Sequence, residues 1–244
     1  CLLMDVKVND TIALVQDKME GQTQMSIRVG VNTDSMLVQP KMEIPGLDLV
    51  TGVQHYEEEV RGSRFTVAAS SFFQVNTGQL SRAVDEVREL LELSGDELMV
   101  DAYCGVGVFA VLMSPYVKRV IGIEESASAI EDANRNLNGA TNVEFIQGKT
   151  EHVMADWQDE NSVDVLLLDP PRVGCHPDVL ESVKKLQPKK VLMISCEPSA
   201  MARDLDLMCE GGMYKLNTIR PIDMFPQTRH VETISVLSFQ GTQD

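Results

Sequence analysis

Val100-Asp101-Ala102-Tyr103-Cys104-Gly105-Val106-Gly107-Val108-Phe109 runs from an apolar strand through a glycine turn into the start of a helix. That succession belongs to a parallel α/β sheet, in which strands and helices alternate. Gly105 and Gly107 allow the backbone to approach a ligand closely. The full dinucleotide fingerprint is absent, because Ala110 holds the position of its last glycine. The next strand, Val120-Ile121-Gly122-Ile123-Glu124, ends in an acidic residue about 20 positions on, where it can meet ribose hydroxyls.

Outward from this unit the alternation continues. Leu98–Ala102, Arg119–Ile123, Val143–Ile146, Val163–Leu168 and Lys190–Ser195 read as short apolar strands. Helices fit at about 106–114, 126–138, 177–187 and 198–210. Asn76 caps an earlier helix running to about Leu93, with Leu80, Val84, Val87, Leu90 and Leu91 on its apolar stripe. Met213–Ile219 and Val231–Ser238 have no long helix between them, so they predict an antiparallel hairpin closing a seven-stranded, mostly parallel sheet. Residues 1–62 read differently, as a small β-rich α/β region preceding the sheet domain at 63–244. Met25–Val29 and Ser35–Val38 alternate across a turn at Asn32-Thr33-Asp34, and a second hairpin turns at Arg61-Gly62-Ser63.

The 244 residues are 43% hydrophobic and 24% charged, with a formal net charge of −16. No apolar run is long enough to span a membrane, and no secretory signal opens the sequence. Five cysteines, odd in number and without metal-finger spacing, and thirteen methionines suit a reducing cytoplasm. The four histidines lack metal spacing, so no metal is expected. The acidic balance disfavours nucleic acid unless a local basic patch overrides it.

The chemistry-bearing residues fall at strand ends. Ile194-Ser195-Cys196-Glu197-Pro198 puts a thiol where a strand stops and a helix begins, a place where ligands bind and where the helix dipole favours thiolate. Leu168-Asp169-Pro170-Pro171-Arg172 follows the fourth strand; its prolines hold the chain extended. Glu232 opens an otherwise apolar final strand, an expensive position for a carboxylate without a task. Ser71-Phe72-Phe73-Gln74-Val75-Asn76 enters the first helix of the sheet domain.

This ordered set resembles the RNA uracil-5-methyltransferase family, which includes transfer RNA and ribosomal RNA enzymes. The resemblance covers about residues 60 to 240. It implies a class I, Rossmann-like methyltransferase fold using S-adenosyl-L-methionine. It matches Cys196 to the nucleophile and Glu232 to the general base. Gln74, Tyr103, Glu124 and Asp169 match positions that bind the methyl donor, alongside the glycine loop at Gly105 and Gly107. Val108 stands where some members carry an asparagine. Some members add an RNA-binding barrel and a four-cysteine iron–sulfur cluster; Cys1 matches at most the last cluster ligand, and no cluster is expected here.

The implied reaction gives 5-methyluridine in RNA, ribosomal or transfer. A thiolate adding at uracil C6 makes C5 nucleophilic, and a base must then remove the C5 hydrogen before the thiol leaves. Arg172 is a candidate to stabilise charge on the pyrimidine oxygen, and Asp169 to bond the ring or orient the donor. The expected partner is RNA, with no membrane, and the expected state is a cytoplasmic monomer. Two alternatives stand beside this reading. An amino-group methyltransferase would use Asp169-Pro170-Pro171 without a covalent step, and an RNA-binding paralogue would keep the fold without catalysis. Neither accounts for Cys196 together with Glu232.

Overall fold

The computed structural model describes residues 4–18, 23–43, 46–157 and 162–241. Cys1 lies outside them. Helix α1 (Val6–Val15) opens the chain, capped by the Asp5 carboxylate. β1 (Ser26–Val29) and β2 (Met36–Gln39) pair antiparallel. β3 (His55–Val60) and β4 (Ser63–Ala68) form a hairpin turned by Arg61 and Gly62, both at positive φ. The boundary expected at residue 62 therefore falls inside a two-residue turn. Moreover, Tyr56, Val60, Phe65 and Val67 share one core with the helices that follow.

Then come α2 (Thr77–Leu91), β5 (Leu98–Ala102), α3 (Val108–Met113), β6 (Arg119–Glu124), α4 (Ala127–Arg135), β7 (Val143–Gln147), α5 (Thr150–Ala155) and β8 (Val165–Leu168). The chain continues through α6 (Pro177–Leu186), β9 (Lys190–Ser195), α7 (Pro198–Cys209), β10 (Tyr214–Ile222) and β11 (Glu232–Phe239). The seven strands lie in the order β10-β11-β9-β8-β5-β6-β7. β5 to β9 run parallel, and β11 slots antiparallel between β9 and β10. The expected seven-stranded, mostly parallel sheet with a closing hairpin is the observed architecture.

Strand alternation divides the core between the two faces. Met99 of β5 packs with α2, α3 and the hairpin, whereas Val100 and Ala102 face α6 and α7. The strand order reverses beside β5, whose neighbours are β6 and β8. The glycine loop after β5 thus sits at a topological switch point, where α/β sheets open a crevice.

Two buried carboxylates fasten the hairpin in place. Glu58 accepts from the backbone N–H groups of Val31 and Asn32 and from the Thr77 hydroxyl, at 2.8–3.0 Å. Asp132 of α4 accepts from the Ala68 N–H and the Ser71 hydroxyl, each at 2.7 Å. Arg28 of β1 grips the same turn from the other side, donating to the Ser71 carbonyl at 2.6 Å. Segment 69–76 leaves this turn as a strap held at both ends, since the Asn76 side chain donates to the Met224 carbonyl at 3.2 Å.

Candidate active site

A cavity of about 1150 Å³ opens beyond the carboxyl ends of β5, β6, β8 and β9. Its lining includes Gln74, Tyr103, Gly105 and Glu124, and also Asp169, Arg172, Cys196 and Glu232. Of the nine candidate catalytic and binding residues from sequence, Gly107 alone is not among those that line it.

Glu124, at the end of β6, is fixed before any ligand arrives. One carboxylate oxygen accepts from the Gly105 N–H at 3.1 Å and the other from the Ser126 N–H at 2.8 Å. Tyr103 takes a left-handed conformation, φ 66°, which is costly for a large side chain and recurs at functional sites. Gly107 has a packing task instead. A Cβ there would stand 2.8 Å from the Phe145 ring. Gln74 arrives on the strap, and its side-chain oxygen is buried without a hydrogen-bond partner.

Asp101 is a residue that the sequence reading left unassigned. It is fully buried inside β5; one oxygen accepts from the Ala110 N–H at 2.9 Å and the other has no partner. Burial pushes its carboxyl up to about 7, against the Ala110 hydrogen bond and with help from the Glu124 charge. The signal that exposed Glu232, an acid within an apolar strand, applies equally to Asp101. Asp169 is held well above the usual carboxylate range by burial and then by the charges of Glu232 and Asp101.

Cys196 and Glu232 come together through strand register. Thr233 of β11 lies opposite Ser195 of β9, so the next residues outward on these antiparallel strands are Glu232 and Cys196. Burial pushes the Glu232 carboxyl up to about 7. The expectation that the helix end would favour Cys196 thiolate needs correction. Burial raises the thiol, the Glu232 charge raises it further, and a charge and hydrogen bond from Arg172 only partly offset them. Cys175 also lines the cavity, but burial and the Asp204 carboxylate push its thiol up strongly. His176 caps α6 through its ring nitrogen.

The family model described as tRNA (uracil-5-)-methyltransferase matches residues 53–239. The chain belongs to this family. The match starts two residues before β3 and ends on the last residue of β11, so it takes in the β3–β4 hairpin together with the sheet. An uncharacterized RNA methyltransferase of Listeria innocua is 41% identical over 187 residues, covering 75% of this chain and 41% of the relative. Another, of Thermosynechococcus vestitus, is 41% identical over 192 residues, covering 78% and 42%. The matched stretch thus spans less than half the length of these relatives. The crystal structure of Pyrococcus abyssi tRNA (uracil-54, C5)-methyltransferase in complex with S-adenosyl-L-homocysteine has a TM-score of 0.73 and 26% identity. That likeness covers 87% of this chain and 59% of the Pyrococcus chain. No described helix is long and apolar enough to cross a membrane.

Proposed function

We propose that this chain methylates uridine C5 in RNA, ribosomal or transfer, using S-adenosyl-L-methionine and a covalent bond between Cys196 and uracil C6. The observation that carries the reading is the strand register that brings Cys196 and the buried Glu232 to facing positions, both lining one cavity. A thiol with a neighbouring base is what C5 methylation requires, whereas amino-group methylation needs neither.

The cavity suits the donor. Glu124 presents a carboxylate already oriented by Gly105 and Ser126, Gly105 and Tyr103 wall the glycine loop, and the unpartnered Gln74 oxygen can accept from an amino group. When bound, S-adenosyl-L-methionine supplies an electrophilic methyl group. Cys196, as thiolate, forms the S–C6 bond, and the C5=C6 electron pair moves towards the C4 oxygen. Arg172 lies where it can steady the thiolate and the charge on the ring. That electron pair would return through C5 to take up the methyl group, the donor leaving as S-adenosyl-L-homocysteine, and Glu232 then takes the C5 proton. The released pair restores C5=C6, the S–C6 bond breaks, and Cys196 leaves as thiolate. Asp169, whose carboxyl burial holds well above the usual carboxylate range, can when protonated donate a hydrogen bond to the ring or the donor. We place this chemistry in a cytoplasmic monomer.

The test is adduct trapping with uridine-containing RNA. Cys196→Ala should form neither product nor adduct. Glu232→Gln should add to uracil and stall after methylation, so a denaturation-resistant protein–RNA adduct accumulates. Near-normal 5-methyluridine formation by Cys196→Ala, read by mass mapping, would reject the mechanism.

A further inference from the structure

The loop that carries Arg172 is held from a direction that the sequence does not announce. Gly174 turns it at φ 87°. A Cβ on Gly174 would stand 2.3 Å from an Arg203 guanidinium nitrogen and 2.5 Å from an Asp204 carboxylate oxygen. Both residues belong to α7, which begins two residues after Cys196. Arg203 donates from Nη2 to the Val173 carbonyl at 2.9 Å. It also donates to Asp204 Oδ1 from Nε at 2.9 Å and from Nη2 at 2.7 Å. Asp204 is wholly buried, and its second oxygen accepts the Cys175 N–H at 2.7 Å. Residues on both sides of Gly174 are therefore tied to one helix, and that helix starts beside the thiol.

We propose that Arg203 and Asp204 are positioning residues, bracketing loop 172–175 from α7 so that the Arg172 guanidinium stays on the cavity that it lines together with Cys196. The proposal rests on the reading of Cys196 as nucleophile. An arginine on a free loop has many rotamers in which it misses a given target, and ordering its backbone removes much of that loss. The placement matters because the charged groups that bear on Cys196 are opposed: Glu232 from β11 resists its ionisation and Arg172 from the loop favours it. The same bracket explains why Gly174 tolerates no side chain. It also makes Cys175 a poor competitor, since its backbone and thiol both face Asp204.

The test is site-resolved alkylation of Cys196 by iodoacetamide across pH, read by mass spectrometry on the intact chain without RNA or donor. Arg172→Gln should raise the pH midpoint of Cys196 alkylation by about 0.5–1, the effect of losing a nearby opposite charge. Arg203→Met should raise it in the same direction. The double variant should shift the midpoint no further than Arg172→Gln alone, because both changes act through Arg172. Arg203→Lys should fall between wild type and Arg203→Met, since a single ammonium cannot serve Val173 and Asp204 with the geometry of a guanidinium. If Arg203→Met does not fold, Arg203→Lys, which keeps a cation beside Asp204, decides the matter. A midpoint unchanged in the folded Arg203 variants, or additive losses in the double variant, would overturn the bracket. Methylation is read separately. A shifted midpoint with no 5-methyluridine from any variant or from wild type rejects the functional reading and keeps the bracket. An unshifted midpoint with normal wild-type methylation does the reverse.

Discussion

Glu232 and Asp101 carry carboxyls raised to about 7, from 4.5 and 3.8 respectively. A carboxyl raised on folding contributes stability that is fully present below its unfolded value and is lost as pH rises through the folded value. The loss for this pair therefore falls between about pH 4 and pH 7, on the order of 3 kcal/mol for each fully buried group. Glu232→Gln should accordingly melt several degrees above wild type at pH 8 and little above it at pH 5, as calorimetry can measure. An equal shift at both values would mean that Glu232 is not protonated on folding. In the proposed mechanism the same ionisation that costs stability readies Glu232 to take a proton, a familiar opposition between stability and activity. On the donor side, Glu124→Ala should weaken S-adenosyl-L-methionine binding by about 1–3 kcal/mol by titration calorimetry, since hydrogen bonds to a charged group are lost. Unchanged affinity would remove Glu124 from the donor site. Other buried acids were hidden in the sequence for a physical reason. Asp132 and Asp204 sit in helices among polar residues and read as solvated charges, yet both are wholly buried. Their partners are backbone N–H groups 64 and 29 residues away, a distance that no local pattern reports.

Among the elements, those that form the sheet were the legible ones. β5, β6, β8 and β9 are buried on both faces and so appear as short apolar runs between turn residues. The closing hairpin was visible because no helix intervenes. α1 was not: it buries only Val8, Thr11 and Val15 of its ten residues, too narrow a stripe to announce a helix. α5 has six residues, less than two turns, and cannot show a period. Neither was the strap at 69–76, whose position is set by distant partners, Arg28, Asp132 and the Met224 carbonyl. Asp132→Ala should leave the Ala68 N–H and the Ser71 hydroxyl unpaired and cost about 2–4 kcal/mol in a denaturant titration. Because Gln74 rides on the strap, donor affinity should fall too. Stability and affinity both equal to wild type would show that the strap holds itself.

For the molecule as a whole, a net charge of −16 sets the terms on which RNA is met. Ten of its basic side chains are already ion-paired with carboxylates among the described residues, Lys189 and Lys190 included. RNA affinity of this chain should therefore fall with salt along a shallow slope, corresponding to about two or three phosphate contacts. A full-length relative titrated in parallel should show a steeper one. Equal slopes and equal affinities would mean that this chain already holds the RNA surface.

The placement of β11 between β9 and β10 also imposes an order on the making of the chain. The ribosome makes Glu232 36 residues after Cys196, roughly two to seven seconds later at about 5–20 residues per second. In that interval the nascent chain carries Cys196 without the carboxyl it will face, just past the end of a strand whose outer edge is still open to stray pairing. Arrival of β11 closes the edge and delivers the carboxylate in one event, so a chain stalled before it should lack the proposed chemistry and be prone to stick.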